Sequence, residues 1–259
     1  MISSDRGYLI SMALLPIVLG TLIHFVGGKQ GLTGPAGTNQ TAEEVLLMLV
    51  ICACLAGAAS SIRELVKERT IYVRERAAGL SSGAYLVSKL LVLGVISIVQ
   101  SSVLVLIGLA GQKMPSKGAI IGVPLLELLV GIAVLSVASM CLGLLVSALV
   151  TTSEKAMPVL VLLTMAQVIL SGGVVSLVGK PGLRQLAYIA PARWGFGAVA
   201  STVNLNVIGV GGPGTRDPLW APTAGHWLLD MGMLVGLSLI FTLFAYLWMR
   251  RLGPKRRKG

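Results

Sequence analysis

Six long apolar stretches, separated by polar or glycine-rich segments, set the pattern of this chain. They fall at residues 7–26, 45–62, 85–109, 125–150, 158–178 and 227–249. Each is close to the 20 or so apolar residues that a helix needs to cross a bilayer. Within each, apolar residues run continuously and do not alternate. That pattern fits a fully apolar helix and excludes the half-buried strands of a barrel. The pattern predicts an all-α integral membrane protein with six transmembrane helices in a single domain. Pro16 marks a kink in the first helix. Pro158 suits the first turn of the fifth, after a tight polar turn "TTSEKAMP" at 151–158. Residues 27–44 read as a flexible loop, and residues 110–119 as a short one. The long mixed segment 179–226 contains "LRQLAYIAPARWGFGAVAS", an amphipathic piece interrupted by Pro191 and Arg193. It is expected to dip into the outer interface as a re-entrant region before helix six.

Composition agrees. Of 259 residues, 55% are hydrophobic and 12% charged, with a mean hydropathy of +0.87. Soluble domains carry about 25% charged residues. The net charge of +11 would suggest nucleic acid in a soluble protein. In a membrane protein, basic residues flanking helices on the cytoplasmic side and touching anionic headgroups explain it better. With the N-terminus inside, 14 Lys/Arg fall on the cytoplasmic side and seven outside. That asymmetry predicts both termini in the cytoplasm. The C-terminal "RRLGPKRRK" then reads as a stop-transfer anchor and lipid contact, and Trp220, Trp227 and Trp248 as interfacial aromatics. Cys52, Cys54 and Cys141 lie in apolar runs and read as small helix residues, with no metal ligand set around them.

One charged elbow interrupts the hydrocarbon pattern between helices two and three: "IRELVKERTIYVRERAAGLSSGAYLVSKL", residues 62–90. Ile62, Leu65, Val66, Val73 and Ala77 share one helical face, and charged residues cover the rest. Glu64 and Lys67 stand at i,i+3 spacing for a pair. Gly79 closes the helix. A short, rigid, amphipathic helix at the cytoplasmic surface is expected, either as an ordinary connector or as a docking element.

The elbow resembles the signature between helices two and three of ABC transporter permeases of the G-subfamily type. The resemblance is carried by Glu68, Arg69, Tyr72, Arg74, Glu75, Gly79, Leu80, Ser81, Ala84, Tyr85, Leu86 and Lys89. "SGG" at 171–173 and "YIAPARWGFGA" at 188–198 resemble the family's outer end of helix five and its re-entrant region. Within the family the wording is similar to mycobacterial-type exporters that carry a forkhead-associated region and an ATPase on the same chain. The resemblance implies that the elbow is a coupling helix docking on an ATPase, through Glu68, Arg69, Arg74, Glu75 and Arg76, with Glu154 in a minor contact. No G-x-x-x-x-G-K-[ST] loop occurs in the sequence. ATP and Mg are therefore expected on a partner ATPase subunit or a domain outside this sequence, with no cofactor bound here and no catalysis. The resemblance also implies a second permease protomer, a homodimer, with the path between helices two and five. That path takes in Cys52, Ala53, Ala56, Gln167, Val168, Gly173 and Val174. Apart from Gln167 these residues are small or apolar, which suits a hydrophobic or lipid-like substrate. A bacterial plasma membrane is the expected location.

Other residues carry weaker signals. Glu127 stands in an apolar run, where a carboxylate is a functional candidate by default, although it lies close enough to the outer loop to reach the interface. Gln100 and Gln167 sit mid-helix and suit interhelical hydrogen bonds. Ser139, Gly143 and Ser147, and Gly232 and Gly236, form small-residue stripes suited to intrachain packing. The alternatives to an exporter are an ion-coupled secondary transporter or channel, and a membrane scaffold that transports nothing.

Overall fold

The computed structural model describes residues 6–28, 30–210 and 217–251. Lys29, Arg216 and the basic tail from residue 252 onward lie outside the described residues. Among the described residues there are helices and no strands. Five helices are long and apolar enough to cross a membrane: α2 (Gln40–Ser61), α5 (Ser82–Gly108), α6 (Pro124–Leu149), α7 (Ser153–Leu170) and α11 (Ala224–Arg251). The first helix, α1 (Arg6–Val26), contributes the shorter apolar stretch Met12–Val26.

The boundaries differ from the sequence expectations where capping residues decide them. Helix α2 begins at Gln40, five residues before the expected start, because the Asn39 side chain accepts a bond from Ala42 N. Helix α5 starts at Ser82 because Ser81 caps it through Ala84 N. Helix α7 runs over Ser153–Leu170, not 158–178. The supposed turn after Thr152 is already helical, and Pro158 lies inside the helix. Gly172, at φ +90, ends the helical run early.

Helix neighbours follow from contacts. Ser61 Oγ of α2 donates to Met140 O of α6 at 2.9 Å, and a side chain on Gly57 or Gly143 would overlap α6 or α2 respectively. The stripe at Ser139, Gly143 and Ser147 therefore does pack within the chain, against α2. The pair lies with almost no side-chain layer between backbones, as small residues allow in lipid. The second stripe differs: nothing approaches within 4 Å of a side chain built at Gly232 or Gly236. Helix α1 lies along α5, where Gln100 donates to Met12 O at 2.8 Å.

Two ends result. The elbow end carries α3 (Glu64–Lys67), α4 (Arg69–Ala77), the start of α5 and the last turn of α11. The far end carries α8 (Pro181–Ala187), α9 (Pro191–Val203), α10 (Leu205–Ile208) and a single 3₁₀ turn at Pro218–Trp220. Helix α9 is not amphipathic as expected. All 13 of its residues are buried, enclosed by α2, α6 and α11. Its glycines permit this: a side chain on Gly195 would meet Leu135, and one on Gly197 would meet Asp230. Trp220 and Trp227 are likewise packed inside the protein.

Candidate functional site: the elbow and the far-end polar cluster

The elbow is two helices, not one. Glu68 stands between α3 and α4 with φ −93 and ψ 5, outside the helical region. Each half is tied to a different neighbour. The first N–H groups of α3 lack intrahelical partners; those of Leu65 and Val66 donate to Ser147 Oγ of α6 at 3.0 and 3.1 Å. Helix α4 is tied to α5 and α11. The Tyr72 hydroxyl lies 3.0 Å from Ser82 Oγ and 3.3 Å from the Met249 carbonyl oxygen, and Arg76 donates to Ser82 Oγ. Tyr72 is the buried residue of α4, whereas Val73 and Ala77, expected on the inner face, are exposed. Gly79, at φ +109, closes α4 with bonds from Gly79 N to Arg76 O and from Leu80 N to Glu75 O. This is the pairing of a left-handed glycine cap.

Lys89 of α5 joins the halves. Its Nζ lies 2.9 Å from Glu64 Oε2 and 2.7 Å from Glu68 Oε1. Glu64 thus turns to Lys89 for its ion pair. The Tyr85 hydroxyl donates to the other Glu68 oxygen at 2.6 Å. Burial pushes the Glu68 carboxyl up, but the bonds from Lys89 and Tyr85 outweigh it and hold the group below its ordinary value. Of the expected coupling residues, Glu68 is engaged inward. Arg69 and Arg76 are half-buried, and Arg74 and Glu75 face solvent. Glu154 is exposed in the first turn of α7, which starts at this same end.

The far end holds a buried charge cluster that the sequence pattern did not single out. Arg193, in the first turn of α9, is 1% exposed. Its Nη2 lies 2.6 Å from Asp217 Oδ2, while Nε and Nη1 have no partner. Asp217 also accepts from Leu219 N. Asp230 of α11 is fully buried, and neither of its oxygens has a partner. A side chain on Gly172 would stand 2.5 Å from Arg193 Nη1. The middle glycine of "SGG" therefore leaves room for the guanidinium. Arg193 is thus paired with Asp217 alone, while Asp230 is buried without a hydrogen-bond partner. The available signal was Asp230 itself, a charge a few residues into the sixth apolar stretch.

The expected path residues separate. Ala53 and Ala56 of α2 are closed into the core, and Cys52 is half-buried. Gln167 is buried, and its Oε1 accepts from Ala192 N at 2.9 Å, capping α9. Val168 is half-buried. Gly173 and Val174 line a cavity of about 210 Å³ at the far end, with Glu43, Asn206 and Trp220. Glu127 acts locally. It accepts from Ala119, Ile120 and Ile121 N at 2.7–2.8 Å and closes the loop before α6. No group of three or more metal-ligating side chains occurs among the described residues.

Spanning helices, a split charged elbow at one end and a buried helical plug at the other define a permease-type membrane domain. Residues 2–203 match the family described as ABC-2 type transporter, and the chain belongs to that family. It is similar to the ABC transporter ATP-binding/permease protein Rv1747 of Mycobacterium tuberculosis, with 43% identity over 249 residues. The match covers 94% of this chain and 29% of that protein, so the chain spans less than a third of its relative's length.

Proposed function

We propose that this chain is the membrane-spanning part of an ATP-driven exporter in a bacterial plasma membrane. It crosses the bilayer six times, with α1 as the additional crossing. Both termini and the elbow are cytoplasmic, and α8 to α10 lie at the outer face. ATP and Mg are handled by an ATPase domain or subunit, and this chain supplies no catalytic group. The name of the relative, an ATP-binding/permease protein, supports that division of labour. The observation that carries the reading is the elbow. Exposed Arg74 and Glu75 stand on α4, which is braced against α5 and α11 by buried bonds and preceded by α3, which is bonded to α6. Charged groups on a braced helix give specific docking and pass a rigid-body movement onward. Glu154 adds a second contact. Two protomers assemble around a path bordered by α2 and α7, near Gly173 and Val174, for a hydrophobic or lipid-like substrate.

Native mass spectrometry of the complex released gently from its own membrane tests this. Two copies of the permease with two ATPase modules are expected, and a monomer without ATPase would overturn the reading. Cysteine labelling from either side of the membrane tests the topology, with Thr70→Cys reacting from inside and Ser176→Cys from outside.

One observation favours a second reading. Asp230 is a buried carboxylate without a hydrogen-bond partner on a spanning helix, as ion-coupled transporters require. Transport that persists without ATP but collapses with the ion gradient would favour it.

A further inference from the structure

The elbow's two halves answer to different parts of the molecule. Helix α3 is held by Ser147 and follows α6. Helix α4 is held by Tyr72 and Arg76 and follows α5 and α11. Between them the chain leaves the helical region at Glu68, and the bond from Glu68 N to Glu64 O is long, at 3.4 Å. A cavity of about 10 Å³, lined by Leu65, Tyr72, Tyr85 and Ser147, lies beneath this break.

The carboxylates of Glu64 and Glu68 both reach Lys89 Nζ, so they stand close enough for like charges to repel. Lys89 is the cation bridging them, and Tyr85, one turn earlier on α5, holds the second oxygen of Glu68. The side chains of Lys89 and Glu64 are 13% and 10% exposed, so solvent screens this bridge less than a surface pair. Without the ammonium, the two carboxylates would push the joint open.

Resting on the reading of the elbow as the ATPase contact, we propose that Lys89 is a positioning residue for coupling: by bridging Glu64 and Glu68 it fixes the angle between α3 and α4. Movement imposed on α4 then reaches α6 as well as α5. With the bridge broken, α4 moves with α5 and α11 while α3 stays with α6, and ATP is spent without export.

The test uses the assembled transporter in lipid nanodiscs. Amide exchange at residues 64–77 reads the joint, and export per ATP hydrolysed reads coupling. Lys89→Met is expected to raise exchange there by about tenfold and to lower export per ATP by at least about fivefold. Lys89→Arg keeps both near wild type. The double variant Glu64→Gln with Lys89→Met removes the repulsion and recovers part of the coupling, which a purely structural role of Lys89 does not predict. If Lys89→Met does not reach the membrane, Glu68→Gln loosens the same bridge without leaving two facing charges and is read in the same way. Unchanged exchange overturns the proposal, and so does loosened exchange with full coupling. Reversing Arg74 and Glu75 separates the two ideas. If Arg74→Glu with Glu75→Lys leaves ATPase docking intact, the elbow reading fails. If docking is lost while Lys89→Met has no effect, the elbow reading stands and the role given to Lys89 falls.

Discussion

The elbow and the far-end cluster each gather one basic and two acidic side chains, in opposite surroundings and with different pairing: Lys89 bonds both glutamates, whereas Arg193 bonds Asp217 alone. At the elbow, Lys89, Glu64 and Glu68 are 10–22% exposed, and both oxygens of Glu68 are bonded. At the far end, Arg193 and Asp230 are closed off and leave four polar atoms without partners. Partial contact with water makes a broken bond at the elbow less costly than one at the far end, where no solvent can replace it. The far end has no such exchange partner, so moving Arg193 uncovers buried charge. The contrast makes the elbow a joint and the far end a fixed anchor.

The largest effect should come from the anchor. Arg193→Met leaves the buried Asp217 without its ion-pair partner and should cost about 3–5 kcal/mol, read as thermal unfolding of the purified chain in detergent. An unchanged melting temperature would break the comparison outright. Adding Asp217→Asn to Arg193→Met should recover part of that loss, since the unpaired charge disappears; a double-mutant cycle measures the coupling. Gly172→Ala should cost about 1–3 kcal/mol, because a side chain at φ +90 would also press on Arg193.

The elbow should respond more gently, and to pH. Glu68 has a folded value below its unfolded one. Its contribution is therefore fully present above the unfolded value, near 4.3 for an ordinary glutamate. It is lost as pH falls through the lowered folded value. Amide exchange at residues 64–77, corrected for intrinsic rates, should stay flat from about pH 7 to pH 5 and rise only in stronger acid. A rise near neutral pH would show that Glu68 is not the controlling group. The smallest change in stability is expected for Arg74→Ala or Glu75→Ala, within about 0.5 kcal/mol, although each should weaken ATPase docking.

Much of the fold could be read from hydrocarbon length alone. The five long helices of the structure each overlap an expected segment, because a run of apolar residues with paired backbone has few alternatives in lipid. Errors gathered where single polar residues decide. Asn39 and Ser81 start their helices earlier than the apolar runs do. Pro158 sits within α7, because the residues before it already form the helix start at Ser153. The elbow was recognisable as charged and amphipathic. Its division at Glu68 was not, since the division depends on Ser147 and Lys89, which are remote in sequence. Burial of α9 was equally hidden: its Arg193 argued for an interface, and only the fold brings Asp217 to it. Asp230 was legible as a lone charge in an apolar run, but its neighbours were not.

Close packing of α2 on α6 has a consequence for how the chain is made. Ser61 and its acceptor on Met140 are 79 residues apart. At ribosomal speeds of about 5–20 residues per second, α2 enters the bilayer about 4–16 s before its main neighbour exists. During that interval its small-residue flank around Gly57 and Ser61, shaped to meet another backbone, faces lipid or whatever the insertion machinery offers. The order of synthesis thus leaves the core of this protein open until α6 has emerged to meet α2.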